Sequence, residues 1–154
     1  MEKVLLCSVW ALFFLLCSCA SEKPVSLADL NKRDVKMPDG AIISCETMTR
    51  RTEMMRGMMF REHLPADQGM LFIHASPAKV TYYTYQVKIP LDIIWLDRSH
   101  TIVEISPDTP PCSAETPASK CPQYGGNQIS QYVLEIGGGL AAKHGARVGQ
   151  QLSW

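Results

Sequence analysis

Ile89-Pro90-Leu91-Asp92-Ile93-Ile94-Trp95-Leu96-Asp97-Arg98-Ser99-His100-Thr101-Ile102-Val103-Glu104-Ile105 reads as two strands and the turn between them. Residues 91–96 are dense in β-branched and aromatic side chains, Asp97-Arg98-Ser99 is a polar break, and 101–105 resumes the β pattern. A hairpin is the expected structure. Working outward, 41–48, 69–73, 80–87, 132–136 and 150–154 have the same strand character, with Pro77 and Pro90 as separators. Two short helices fit between them. One starts at Thr49 or Thr52 and runs to Arg56 before Gly57; the other covers 140–144 and closes at Gly145. The fold expected is therefore mainly β, of the α+β kind.

The amino terminus has a different character. Lys3 precedes an apolar stretch at 4–16, thirteen residues long with Ser8 its one polar residue. A helix needs about 20 apolar residues to cross a hydrocarbon core of about 30 Å, so this length suits the central region of a signal peptide. The stretch leads into Leu16-Cys17-Ser18-Cys19, which resembles a bacterial lipobox. Residues 1–18 are expected to be removed and Cys19 lipidated; the alternative is an ordinary secretory signal. Attached acyl chains anchor at about 0.8 kcal/mol per buried CH₂. The implied location is extracytoplasmic, on a bacterial membrane, and Ala20 after the cysteine points to the outer membrane if the host is Gram-negative. Residues 19–38 are polar and patternless and read as a tether, with one globular domain over 39–154.

Formal net charge is zero with acids and bases interspersed, which leaves no electrostatic footprint for nucleic acid. Of six cysteines, Cys7 and Cys17 leave with the signal and Cys19 takes lipid. Cys112 and Cys121 share a loop rich in Pro, Ser and Thr in an oxidising compartment, so a local disulfide is the natural pairing. Cys45, inside a β-like run, is either a small buried apolar residue or a reactive thiol.

The order of several blocks resembles the domain of unknown function 192 family, from about residue 40 to the end. These blocks are Arg56-Gly57-Met58-Met59-Phe60-Arg61, Leu64-Pro65, Gly69-Met70-Leu71-Phe72 and Ile89-Pro90-Leu91-Asp92. Val103-Glu104-Ile105, a Pro-Cys loop, Cys121-Pro122-x-Tyr124, Tyr132-Val133-Leu134-Glu135, Gly139 and Val148-Gly149 follow. The resemblance implies a compact antiparallel β sandwich or barrel with one or two short helices. It also exposes a departure. Where the family often carries an aromatic-Trp-Met-Lys-Asn-Thr run, this chain has Tyr82-Tyr83-Thr84-Tyr85-Gln86-Val87, placing Tyr83 for the tryptophan and Gln86 for the asparagine. If that segment lines a ligand site, the ligand differs from that of most relatives.

Four groups of residues bear on chemistry. Met48, Met54, Met55, Met58, Met59 and Met70 offer soft thioether ligands for Cu(I), but Met54, Met55, Met58 and Met59 are spaced by one and four, which suits core packing. His63, His74, His100 and His144 are scattered and give no metal-binding spacing, so neither metal nor cofactor is expected. Arg56, Arg61, Asp92, Glu104 and Glu135 lie beside or inside apolar blocks, either as buried ion pairs or as polar groups converging on a ligand. Arg61 is expected to meet Asp92. Tyr82, Tyr83, Tyr85 and Tyr124 are dense phenols, with Tyr83 and Tyr85 on one strand face if 80–87 is a strand. The reading reached is a lipid-anchored extracytoplasmic binding or accessory module. Its ligand pocket is expected at Arg61, Tyr83, Tyr85, Gln86, Asp92 and Tyr124, for a small polar ligand such as a sugar or cell-wall fragment, or an envelope protein. The competing readings are a small hydrolase of envelope glycans, with Asp92 and Glu104 as acid and base, and a Cu(I) carrier.

Overall fold

In the computed structural model, which describes residues 31–154, the chain runs β1 (Lys32–Lys36), β2 (Ile42–Met48), α1 (Arg51–Arg56), β3 (Gln68–Tyr82), β4 (Leu91–Leu96), β5 (Ile102–Thr109), β6 (Tyr124–Gly137) and α2 (Leu140–Lys143). The expected signal peptide, the expected lipidation site Cys19 and most of the expected tether lie outside the described residues. The six strands form one sheet in the order β1-β2-β3-β6-β4-β5.

The quoted hairpin is the β4–β5 pair, antiparallel with Ile94 opposite Ile105. All six residues of β4 are buried. That follows from its place between β5 and β6, with apolar packing on both sheet faces. Alternation sorts the side chains: Leu71, Ile94, Leu96, Leu134 and Ile136 enter one core, while Met70, Phe72, Ile93, Trp95 and Val133 enter the other. The C-terminal residues complete the first core. Lys36 bridges to Ser153 and Thr101 to Gln151, so the final segment links the two outer strands and closes the sheet around that core. Residues 150–154, expected as a strand, make only these isolated bridges, and Trp154 stacks on His100 at 3.6 Å.

The mainly β fold with two short helices is as expected, with three corrections. One strand pairing is parallel, β2 with β3, because their connection passes through α1 and is long enough to return the chain in the same direction. The domain begins before Asp39: β1 pairs with β2 and sinks Val35 completely, so an apolar residue among charged ones suffices to hold this stretch in the sheet. The expected strands at 69–73 and 80–87 are partly one element. Strand β3 continues past Pro77 with a register shift between Ile73 and Ala78, a place where a missing N–H is tolerated, and ends at Tyr82. Residues 83–87 are therefore a turn-rich crossing rather than a strand.

The loop after β5 is fastened to that crossing. Cys112 and Cys121 form a disulfide. Cys112 N–H donates to the Thr84 carbonyl at 3.0 Å, Gln86 N–H donates to the Cys112 carbonyl at 3.2 Å, and Thr84 Oγ1 donates to the Pro110 carbonyl at 2.8 Å. Closing a ring of about ten residues restricts the unfolded chain by about 2–3 kcal/mol. Urea unfolding of the Cys112→Ser/Cys121→Ser variant is expected to show that loss of stability, whereas superimposable curves would mean the hydrogen bonds alone hold the loop. Cys45 is free and buried, and its burial followed by the charge of Asp34 pushes the thiol up to about 12, so it packs as an apolar residue. Among the described residues no helix is long and apolar enough to cross a membrane.

Candidate functional site

Helix α1 is short and buries none of its residues completely. Glu53 rather than a threonine marks its start: the Arg50 N–H donates to Glu53 Oε2 at 3.4 Å, and Arg50 Nε lies 3.3 Å from Oε1. Gly57, at φ 42°, ends it as the sequence suggested. Met54 and Met58 then fall toward the sheet face that carries Phe72, Trp95 and Val133. The helix does not close on that face, and a cavity of about 300 Å³ remains. Met54, Met58, Phe72, Val80, Tyr82 and Val87 give it an apolar wall, Tyr83 and Tyr85 flank it, and Arg51 and Arg56 stand at its helical side.

Glu135 also lines the cavity. It lies in β6 opposite Met70 of β3 and Ile93 of β4, on the face opposite that of Leu134 and Ile136, and is 4 % exposed. Among the described residues no hydrogen-bond partner meets its carboxyl. Burial raises it to about 8, and the positive charge of Arg61 offsets only part of that rise. At neutral pH it is thus mainly a neutral acid, able to donate one hydrogen bond into the cavity. Tyr82 and His74 sit beside it, with Tyr82 Oη and His74 Nε2 3.1 Å apart. Tyr82 also meets Phe72 edge-on at 5.0 Å and Trp95 at 6.2 Å. Burial lowers the His74 imidazole and, with the charge of Glu135 as a smaller cause, raises the Tyr82 phenol, so both stay uncharged at neutral pH.

A second hollow of about 410 Å³ lies on the other side of the Gly57–Phe60 turn and is more polar. Arg61 is there, its Nη2 donating to Glu46 Oε2 at 2.6 Å. The turn itself is held in an uncommon conformation. Phe60 has φ 66° and Gln86 has φ 55°, and the Phe60 N–H donates to the Gln86 carbonyl at 2.9 Å. Left-handed backbone at two such residues stores about 1–3 kcal/mol each, and it persists here because helix end and crossing are fixed against each other.

The six candidate residues therefore separate. Tyr83 and Tyr85 line the cavity, with ring centroids 6.5 Å apart, although a turn and not a strand face brings them together. Gln86 supports them, its Nε2 donating to Tyr85 Oη at 3.2 Å. Tyr124 pairs with Tyr82 across β3 and β6 and packs against the second core. Arg61 and Asp92 do not meet. Arg61 is taken by Glu46, and Asp92 is fully buried on the far side of β4, where Oδ1 accepts from Asp108 N–H at 2.7 Å and Gly139 N–H at 3.0 Å, and Oδ2 from Ala141 N–H at 2.6 Å. A carboxyl fully buried and holding three backbone N–H groups is out of a substrate's reach. Glu104, its supposed catalytic partner, accepts instead from the backbone and side chain of Asn127.

Small β domains with a lined cavity between one helix and the sheet are the class that this fold and site define. Over residues 34–154 the chain matches the family model DUF192, described as an uncharacterized ACR, and it belongs to that family. Its fold is similar to a protein of unknown function from Novosphingobium aromaticivorans DSM 12444, with a TM-score of 0.68 and 26% identity over 80% of this chain and 85% of that one. It is also similar to a protein from Sinorhizobium meliloti 1021 provisionally named a transcription regulator, with a TM-score of 0.70 and 23% identity over 79% and 92% of the two chains. The second likeness is one of fold alone. No curated protein matches the chain.

Proposed function

We propose that this is a small-molecule-binding domain, held at an extracytoplasmic membrane surface through Cys19, and that its ligand sits in the cavity between α1 and the sheet. One observation carries the reading: an acid with no hydrogen-bond partner among the described residues, Glu135, is kept at the wall of a mostly apolar cavity. A buried carboxyl without a partner costs stability, and perturbed groups of this kind concentrate at functional sites. The cavity volume is at the lower end of ligand sites, and convergent polar groups on a mostly apolar wall are what such sites present. The walls favour a ligand with an apolar body over a sugar, whose hydroxyl groups would face methionine and aromatic side chains. The disulfide suits an oxidising compartment, and the lipobox-like Leu16-Cys17-Ser18-Cys19 supports the anchor.

Thermal-shift measurements on the mature chain with Cys19→Ser, against small amphipathic molecules and against sugars and muropeptides, test this. A ligand at 100 times its dissociation constant stabilises by about 2.7 kcal/mol. Stabilisation by amphipathic molecules that is lost when Val80→Trp fills the cavity is the expected result. Stabilisation by sugars alone, or unchanged by the filled cavity, would contradict it.

A further inference from the structure

The charged groups around the cavity are unevenly distributed, and that distribution reports on the ligand's own charge. Helix α1 contributes Arg51 and Arg56, both exposed, and among the described residues neither has an acidic partner. Glu53 of the same helix is engaged by Arg50. From the turn, Arg61 is paired with Glu46; from β3, His74 is bonded to Tyr82; and from β6 only Glu135 faces inward. The crossing supplies uncharged Tyr83 and Tyr85. Two guanidinium groups thus stand unpaired beside an apolar chamber whose single acid lies deep among neutral groups.

We infer that the ligand is an amphipathic anion, its charged head held by Arg51 and Arg56 and its apolar body lying among Met54, Met58, Phe72 and Val87. The inference rests on the cavity being a ligand site. Arginine suits an anionic head because its planar fork offers paired N–H donors to two oxygens. A cavity of about 300 Å³ is at the small end of ligand sites and suits a short apolar chain. A short chain with one charged end matches the wall, which is mostly apolar, has Glu135 as its one acid and is cationic at one side. The neutral form of Glu135 supports this, since an ionised carboxylate in the same chamber would repel an anionic ligand.

Calorimetric titration of the mature Cys19→Ser chain at pH 7 with octanoate, octanol and octylamine separates the alternatives, because these share a body and differ in charge. Octanoate is expected to bind at least tenfold more tightly than octanol, and Arg51→Gln/Arg56→Gln to bring octanoate down to the octanol level. The two arginines are exposed and have no acidic partner, so that variant is expected to melt with the wild type. Equal binding of octanoate and octanol would overturn the inference while leaving the cavity as a ligand site. Tightest binding of octylamine, or an octanoate preference that survives in the double variant, would overturn it as well. Binding of none of the three would overturn both readings.

Discussion

Asp92→Asn is expected to cost about 3–5 kcal/mol of stability, the range for leaving buried, charge-assisted hydrogen bonds unmade. For a domain of this size that lowers the melting temperature by roughly 10–20 °C. The reason is local. Asp92 is fully buried and accepts three backbone N–H groups, from Asp108 at the end of β5 and from Gly139 and Ala141 at the start of α2. An asparagine keeps one oxygen and turns an NH₂ toward donors that need an acceptor. The consequence is an unfastened α2 and a loosened end of β5, with the cavity on the other face of the sheet left in place. Differential scanning calorimetry is the check, and a loss below about 1 kcal/mol would show that water or a rearranged turn replaces the carboxylate.

Glu135→Gln is expected to do the reverse, and only at higher pH. In the unfolded chain the carboxyl titrates near its ordinary 4.5, whereas in the folded protein burial holds it at about 8. Between those values the folded state keeps a proton that the unfolded state has released, so stability falls as pH rises through this window and levels off above 8. At pH 7 the accumulated cost is about 3 kcal/mol. Glutamine cannot ionise and escapes it. Urea unfolding at pH 4, 6 and 8 should give wild type and variant equal stability at pH 4 and a widening advantage for glutamine at 6 and 8. Parallel profiles would mean that Glu135 is ionised inside the fold, neutralised by Arg61.

Sequence reasoning located the fold better than the site. The hairpin of β4 and β5 was legible because its strands are dense in β-branched and aromatic residues and a polar tripeptide interrupts them. The family blocks were legible as an ordered series. Strand β1 was hidden because one buried residue, Val35, holds a segment that otherwise has the composition of a linker. Pro77 suggested a break where β3 instead carries an irregularity, since proline is excluded from a ladder only where its N–H would be needed. Tyr83 and Tyr85 were expected together on the face of a strand, whereas a turn brings them to the cavity. Arg61 and Asp92 were both recognised as charged groups in apolar surroundings, but sequence cannot show which partners satisfy them, and the partners are Glu46 and three backbone amides. Glu135 was visible as an acid within Tyr132-Val133-Leu134-Glu135-Ile136, yet its importance depends on what does not reach it, which only the packed structure reveals.

The cavity's four methionines give the most direct test of the central claim. Met54, Met55, Met58 and Met59 line it, whereas Met37 lies in the core on the other sheet face. In protein labelled with ¹³C at the methionine methyl groups, titration with octanoate should shift the signals of those four and leave Met37 unmoved. Shifts spread evenly over all the methionines, or confined to Met37, would contradict a ligand site between α1 and the sheet.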